Sequence, residues 1–197
     1  MGLYISSFDL SELDHYAADG FSIVNRHLQS AGFPSLDEIA PPGLGFEEKL
    51  SVEPSSFEEL CDNFLPGFPM DSLTLPSIAS DYLFPVEGAA LILPFPFRGL
   101  MEVPDLFQTE TFGIASAQQL KIQIEAMTEE TGFSLEAAPE LSPGGYVFNG
   151  WYDAMTSPEY PESFADPSDP DTMFHLALYR AVADYCIRRN SAVRISQ

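Results

Sequence analysis

Carboxyl groups are the main chemically active side chains of this sequence, which holds 30 Asp and Glu residues among its 197. Two well-placed carboxylates can carry out acid–base hydrolysis, and a tight group of them can hold Ca²⁺. With so many acids, neighbouring pairs arise by chance, and no stretch shows the alternating acidic pattern with a central Gly of a calcium loop. An acid–base hydrolase with paired carboxylates is an open alternative that has no specific catalytic residues.

The histidines and glycine-rich stretches do not match a metal or cofactor site. His15, His27 and His175 lie far apart and outside any paired metal-binding spacing, so each is expected to be a core or capping side chain. Residues 43–48 begin like a dinucleotide-binding fingerprint, but Glu48 replaces the third Gly and would repel a pyrophosphate. We also find no nucleophile elbow, phosphate loop or Cys-x-x-Cys. No cofactor or metal is expected.

Residues 151–171, here called the aromatic–acidic segment, combine large aromatic side chains with carboxylates and contain no Lys or Arg. Tyr and Trp dominate the energetics of protein interfaces because they bury a large area and keep a polar group. The segment is therefore the preferred partner-binding site, with the candidate residues Trp151, Tyr152, Asp153, Glu159, Tyr160, Glu162, Phe164, Asp166 and Asp169. Alternatively, its aromatic rings fold back onto the core.

Two further groups of acids stand out. A secondary acidic patch is expected from Glu47, Glu48, Glu58, Glu59 and Asp62. A third group runs through and beyond a predicted helix and consists of Glu125, Glu129, Glu130, Glu136 and Glu140. Each group can also be read as a solvated face that keeps the protein soluble.

The overall charge narrows the range of partners. Only 8 Lys and Arg oppose the acids, which leaves a formal charge of −22 at pH 7. Direct binding to nucleic acid is not expected, because phosphates are neutralised by Lys and Arg. Anionic membranes are repelled for the same reason. Since self-repulsion destabilises the compact state, the excess of acids favours a function in which a basic protein partner is bound.

The sequence predicts a cytoplasmic protein. The acids Asp9, Glu12 and Asp14 precede any Lys or Arg, unlike the basic start of a secretory signal. The most apolar stretch, residues 88–97, is too short to span a bilayer. Two cysteines, Cys61 and Cys186, are too few for a disulfide framework and are expected to be buried thiols.

Hydrophobic patterning predicts the elements that must position these side chains. We expect a strand over residues 3–8, helical structure ending near Gly32, and a short helix opened by a capping box at Ser56. Short apolar runs between residues 73 and 103 indicate the strands at the centre of the core. The Ser116 cap and the Gly132 stop favour a helix between them over a strand.

The last third of the chain carries two strong local signals. Asn149-Gly150 between apolar pairs predicts a type I′ hairpin turn, followed by a loop from residue 153 to about 168. Asp169-Pro170 predicts the start of a terminal helix over residues 170–190, with residues 191–197 expected to fray. The sum is a single α+β domain over residues 1–197, with a small, mostly antiparallel sheet packed with two to four helices.

Three short stretches resemble small acidic immunity proteins of bacterial polymorphic toxin systems. They are Met1-Gly2-Leu3-Tyr4-Ile5, Asp81-Tyr82-Leu83-Phe84-Pro85-Val86 and Ser116-Ala117-Gln118-Gln119-Leu120. The resemblance implies a cytoplasmic protein that binds a cognate toxin and blocks its active site or substrate surface. It carries over no functional residues.

The leading hypothesis is thus a binding protein that neutralises a basic toxin domain, one that acts on nucleic acid. The first alternative is a nucleic-acid mimic of the anti-restriction type, in which carboxylates are spaced like phosphates along a long face. The second alternative is the acid–base hydrolase.

Overall fold

The computed structural model of the chain describes residues 3–16, 18–50, 78–80, 89–97, 100–103, 112–142, 147–157 and 169–196. The strands are β1 (Leu3–Phe8), β2 (Glu47–Leu50), β3 (Ile78–Ser80), β4 (Ala89–Leu93), β5 (Leu100–Val103), β6 (Phe112–Ser116) and β7 (Ala192–Ser196). The helices are α1 (Leu13–Tyr16), α2 (Gly20–Ser30), α3 (Ala117–Thr131), α4 (Val147–Thr156) and α5 (Pro170–Arg189). Short 3₁₀ helices cover Leu10–Glu12 and Leu36–Glu38.

The described strands form one sheet with the order β2-β1-β7-β4-β6-β5-β3. β4 and β6 pair in parallel, with Leu91 beside Ile114, and every other pair of neighbours in this order is antiparallel. The expected α+β class and the mostly antiparallel sheet are confirmed.

Helices cover both faces of the sheet. On β4, Leu91 and Leu93 point into a core shared with Val24 and Leu28 of α2, while Ile92 points into a core shared with α3, α4 and α5. A strand that is buried on both faces needs apolar residues at every position. This burial explains why residues 89–93 read as a continuous apolar run.

Helix ends follow the capping signals in the sequence. Ser116 Oγ accepts a hydrogen bond from the Gln119 N–H at 3.2 Å, and Gly132 ends α3 with a φ of 70°. Asp169 caps α5, which continues to Arg189 before Asn190 turns with a φ of 48°. The helix expected between Ser116 and Gly132 and the terminal helix are therefore confirmed.

The predicted hairpin at Asn149-Gly150 is wrong, because these residues lie inside the helix α4. A type I′ turn needs a positive φ at both central residues, and neither residue has one. Phe148, Trp151 and Met155 share one helical face and pack against the core. Burial of that face decides the conformation over the local turn preference. The first part of the expected loop, residues 153–156, is helical as well, and residues 158–168 lie outside the described ranges.

The fraying expected for residues 191–197 is also contradicted. Residues 192–196 form β7, which lies between β1 and β4 in the sheet. Ala192, Val193 and Ile195 are buried. Hydrogen bonds on both sides of the strand and burial of both faces hold this segment in place.

Other expectations fall outside the described ranges. They concern the short helix predicted from Ser56 and the environment of Cys61. In the described part of the chain, no helix is both long enough and apolar enough to cross a membrane.

Candidate functional site

The structure describes four of the nine candidate residues in the aromatic–acidic segment. Trp151, Tyr152 and Asp153 lie on α4, and Asp169 caps the first turn of α5. The remaining candidates, Glu159, Tyr160, Glu162, Phe164 and Asp166, lie outside the described residues.

The two described aromatic candidates pack around Phe174 of α5. The Trp151 ring stacks on it with centroids 6.4 Å apart, and the Tyr152 ring meets it edge-on at 5.2 Å. Phe148 completes the group at 6.1 Å. Trp151 and Tyr152 are partly buried against the core. For these two rings, the structure supports the alternative in which they fold back onto the core.

The Tyr152 hydroxyl donates a hydrogen bond to Asp171 Oδ1. This hydrogen bond is the first cause that raises the pKa of Tyr152 to about 12, followed by burial and the charge of Asp171. Asp171 lies in the first turn of α5, where the helix dipole stabilises a carboxylate. The bond therefore ties α4 to the start of α5.

The two acidic candidates differ in their availability to a partner. Asp169 Oδ1 accepts from the Thr172 N–H at 3.0 Å and Oδ2 accepts from the Thr172 hydroxyl at 2.5 Å, so both oxygens are engaged within the protein. Asp153 is exposed on α4. Among the described residues of the aromatic–acidic segment, Asp153 is the carboxylate best placed to meet a partner.

His175 is a core residue, as expected for a lone histidine on an apolar helix face. It is fully buried, and its Nδ1 lies 2.7 Å from the Asp171 carbonyl oxygen. Burial lowers its pKa. Cys186 is also fully buried, and burial raises the pKa of its thiol, which makes it a poor nucleophile.

The secondary acidic patch is corrected at one position. Glu47 is exposed, but Glu48 points to the other face of β2 and is 0% exposed. Its Oε1 accepts a hydrogen bond from the Val147 N–H at 2.8 Å. Glu48 is therefore an internal group that holds the start of α4, which strand alternation alone could have indicated. Glu58, Glu59 and Asp62 lie outside the described residues.

The third acidic group lies on the surface. Glu125, Glu129 and Glu130 are exposed along α3, and Glu136 and Glu140 are exposed in the segment that follows it. The last turn of α3 contains no basic residue. We call the three helical residues and Glu136 the α3 acidic end.

A shallow groove of about 180 Å³ separates residues 135–140 from α5. Ala177 and Ala181 line it together with several charged side chains. Arg188 pairs with Glu140 at 2.8 Å, and Lys121 pairs with Asp184 at 2.6 Å. Three acids, Glu136, Glu140 and Asp184, and two bases, Arg180 and Arg188, line the groove, and this mixture of charges does not select a ligand.

In the described part of the chain, no three His, Cys, Asp or Glu side chains come together in a group that could bind a metal ion.

In comparisons with protein-family models, curated proteins and solved structures, no match to this chain was found.

Proposed function

We propose that this chain is a binding protein that neutralises a basic toxin domain, one that acts on nucleic acid, by covering its active or substrate-binding surface. The observation that carries the proposal is the position of the surplus acids at the α3 acidic end. These acids are exposed, and they lie toward the helix end at which the dipole disfavours negative charge.

The electrostatics of α3 make this position costly for folding. Carboxylates near the C-terminus of a helix face the negative end of its dipole. Each exposed carboxylate there lowers the stability of the helix by about 0.3–1 kcal/mol. Glu125 and Glu129 are also four residues apart, a spacing at which like charges repel. A soluble surface could be obtained with acids elsewhere, so the placement favours a use in binding.

The same arrangement suits a cationic partner. The helix C-terminus and the carboxylates of Glu129 and Glu130 add their negative potentials in one region of the surface, while Glu125, one turn earlier, pairs with Lys121 at 3.9 Å. Complementary charge speeds the encounter with a basic protein and disfavours acidic competitors. A toxin that binds nucleic acid carries such a basic surface, and an acidic protein that covers it blocks access of the phosphates.

Co-expression with candidate toxin domains from neighbouring genes tests the proposal. The wild-type chain is expected to rescue growth and to form a complex that weakens as salt increases. Reversing two charges at the α3 acidic end, E129K with E130K, is expected to weaken the complex at least tenfold. The matched control is E12K with E47K, which reverses two exposed charges elsewhere and is expected to cause a much smaller loss.

A third variant, D153K, tests the aromatic–acidic segment as part of the interface. A loss comparable to that of E129K with E130K would place α4 in contact with the partner. Absence of both rescue and a complex at low salt would overturn the proposal. Equal inhibition of many unrelated DNA-binding enzymes, without a preferred partner, would instead favour the nucleic-acid mimic.

A further inference from the structure

The junction between β2 and α4 has an unusual way of satisfying a helix N-terminus. Glu48 reaches from the strand to the Val147 N–H, across 99 positions of the chain. Next to it, the Asn149 side-chain amide donates to the Lys49 carbonyl oxygen at 2.7 Å. Two consecutive residues of β2 therefore hold the first turn of α4.

This junction is short of hydrogen-bond donors. Glu48 Oε2 and Asn149 Oδ1 are both buried acceptor atoms without a partner in the described part of the chain. A buried acceptor without a partner costs about 1–3 kcal/mol, and more when it belongs to a charged group. A proton on Glu48 would turn Oε2 into a donor and remove the buried charge.

Among the described residues around Glu48 there are backbone N–H groups and apolar side chains, but no ion-pair partner. Directly opposite on β1 is Ile5. From α4, the Val147 N–H donates to Glu48 Oε1, the neighbouring Phe148 N–H favours the charged carboxylate without satisfying Oε2, and the acid of that helix, Asp153, is exposed. From α5, the titratable side chain of Tyr185 reaches Phe46, which directly precedes β2, and the two rings pack 4.7 Å apart. Within the described ranges, no Lys, Arg or His forms an ion pair with Glu48.

We propose that the β2–α4 junction is a proton-linked latch, in which the Glu48 carboxyl holds α4 most firmly when it carries a proton. Burial raises the pKa of Glu48, while the two N–H groups oppose that shift. Docking of α4 and uptake of a proton are then linked: each unit of pKa difference between the docked and undocked states changes the docking equilibrium tenfold.

The sign of the pH dependence of docking follows from the direction in which the pKa of Glu48 is shifted. The docked state binds the proton more tightly, so the contribution of Glu48 is fully present below its ordinary pKa of 4.5 and is lost as the pH rises through the raised value. Because α4 carries the exposed Asp153, which D153K tests as part of the interface, the latch would tune that part of the proposed binding surface. Its relevance to binding rests on the proposed function, although the latch itself can be tested without a partner.

The chain provides its own reporter, because Trp151 on α4 is its single tryptophan. Its fluorescence is measured in the full chain between pH 4.5, the ordinary value for Glu, and about pH 8. As the pH rises, wild type is expected to shift its emission to longer wavelength, since undocking exposes the indole. E48Q is expected to lack this transition, whereas the matched control E47Q, which removes an exposed charge from the same strand, is expected to keep it.

Comparison among these variants separates Glu48 from His175, whose buried ring adjoins Phe174 and is present in all of them. Protonation of His175 opposes folding at low pH, which is the opposite sign. A transition that persists in E48Q would overturn the latch. If E48Q does not fold, amide hydrogen exchange of the wild-type protein replaces the fluorescence test. The rates are corrected for the intrinsic pH dependence of exchange. Equal protection of residues 147–150 at both ends of the pH range would then overturn the latch. Neither result depends on whether a toxin is bound.

Discussion

The two ends of α5 stabilise charge in different ways. At its start, the carboxylates of Asp169 and Asp171 are bound by a backbone N–H and by the hydroxyls of Thr172 and Tyr152. In its second half, Asp184 is held by Lys121 at 2.6 Å and by Arg180 at 3.9 Å.

This difference shows where a chain with few basic side chains places them to neutralise carboxylates. Neutral donors suffice at the helix start because the dipole already favours a negative charge there. Four of the eight bases lie around the second half of the helix, where the dipole does not favour a carboxylate. They are Lys121, Arg180, Arg188 and Arg189. Within the α3 acidic end, Lys121 pairs with Glu125 at 3.9 Å, whereas Glu129, Glu130 and Glu136 form no ion pair with another described residue.

The largest effect is expected at the helix start, from F174A. This change removes the ring on which Trp151, Tyr152 and Phe148 pack, and it should reduce the free energy of unfolding by about 3–5 kcal/mol. The control I187A, near the other end, removes a side chain that is 37% exposed and should cost less than about 1 kcal/mol. Chemical denaturation measures both, and similar losses would remove the contrast between the two ends.

A smaller effect is expected from Y152F, which removes the hydroxyl bonded to Asp171. Loss of a hydrogen bond to a charged group should cost about 1.5 kcal/mol near neutral pH. Since the pKa of Tyr152 is raised to about 12, the advantage of wild type is present below pH 10 and is lost as the pH rises toward 12. Denaturation of both proteins over this range tests the sign, and a constant difference would contradict it.

The smallest effect is expected in the second half of α5, from K121M. The Lys121 side chain is 35% exposed, so its pair with Asp184 should contribute less than about 1 kcal/mol and should weaken with salt. K49M is the control for simple loss of a positive charge, because Lys49 is exposed on β2. A loss above about 2 kcal/mol for K121M would show that ion pairs, rather than aromatic contacts, dominate the stability of this helix.

The sequence predicted elements best where local signals and burial agree. The caps at Ser116 and Asp169 open helices whose apolar faces meet the core, and the apolar run of residues 89–93 forms the strand buried on both faces. At Asn149-Gly150, the turn preference conflicts with a helical face formed by Phe148, Trp151 and Met155. There, tertiary contacts decide, and local reasoning fails.

The candidate site was less predictable because exposure is a tertiary property. Glu47 and Glu48 are adjacent acids in the sequence, yet one faces solvent and the other lies inside. Similarly, Trp151 and Tyr152 have the composition of an interface but use their rings against Phe174. Charge counts predict the sign of a surface, while the partners of each side chain depend on residues far away in the chain.

The position of β7 has a consequence for synthesis of the protein on the ribosome. β1 with β2 on one side, and β4 with the strands beyond it on the other, meet only through residues 192–196. These residues are translated after every other described strand, so a nascent chain exposes two open sheet edges until they emerge. Unpaired edges invite aggregation. During that interval, mutual repulsion between the many carboxylates would help keep unfinished chains apart in a crowded cell.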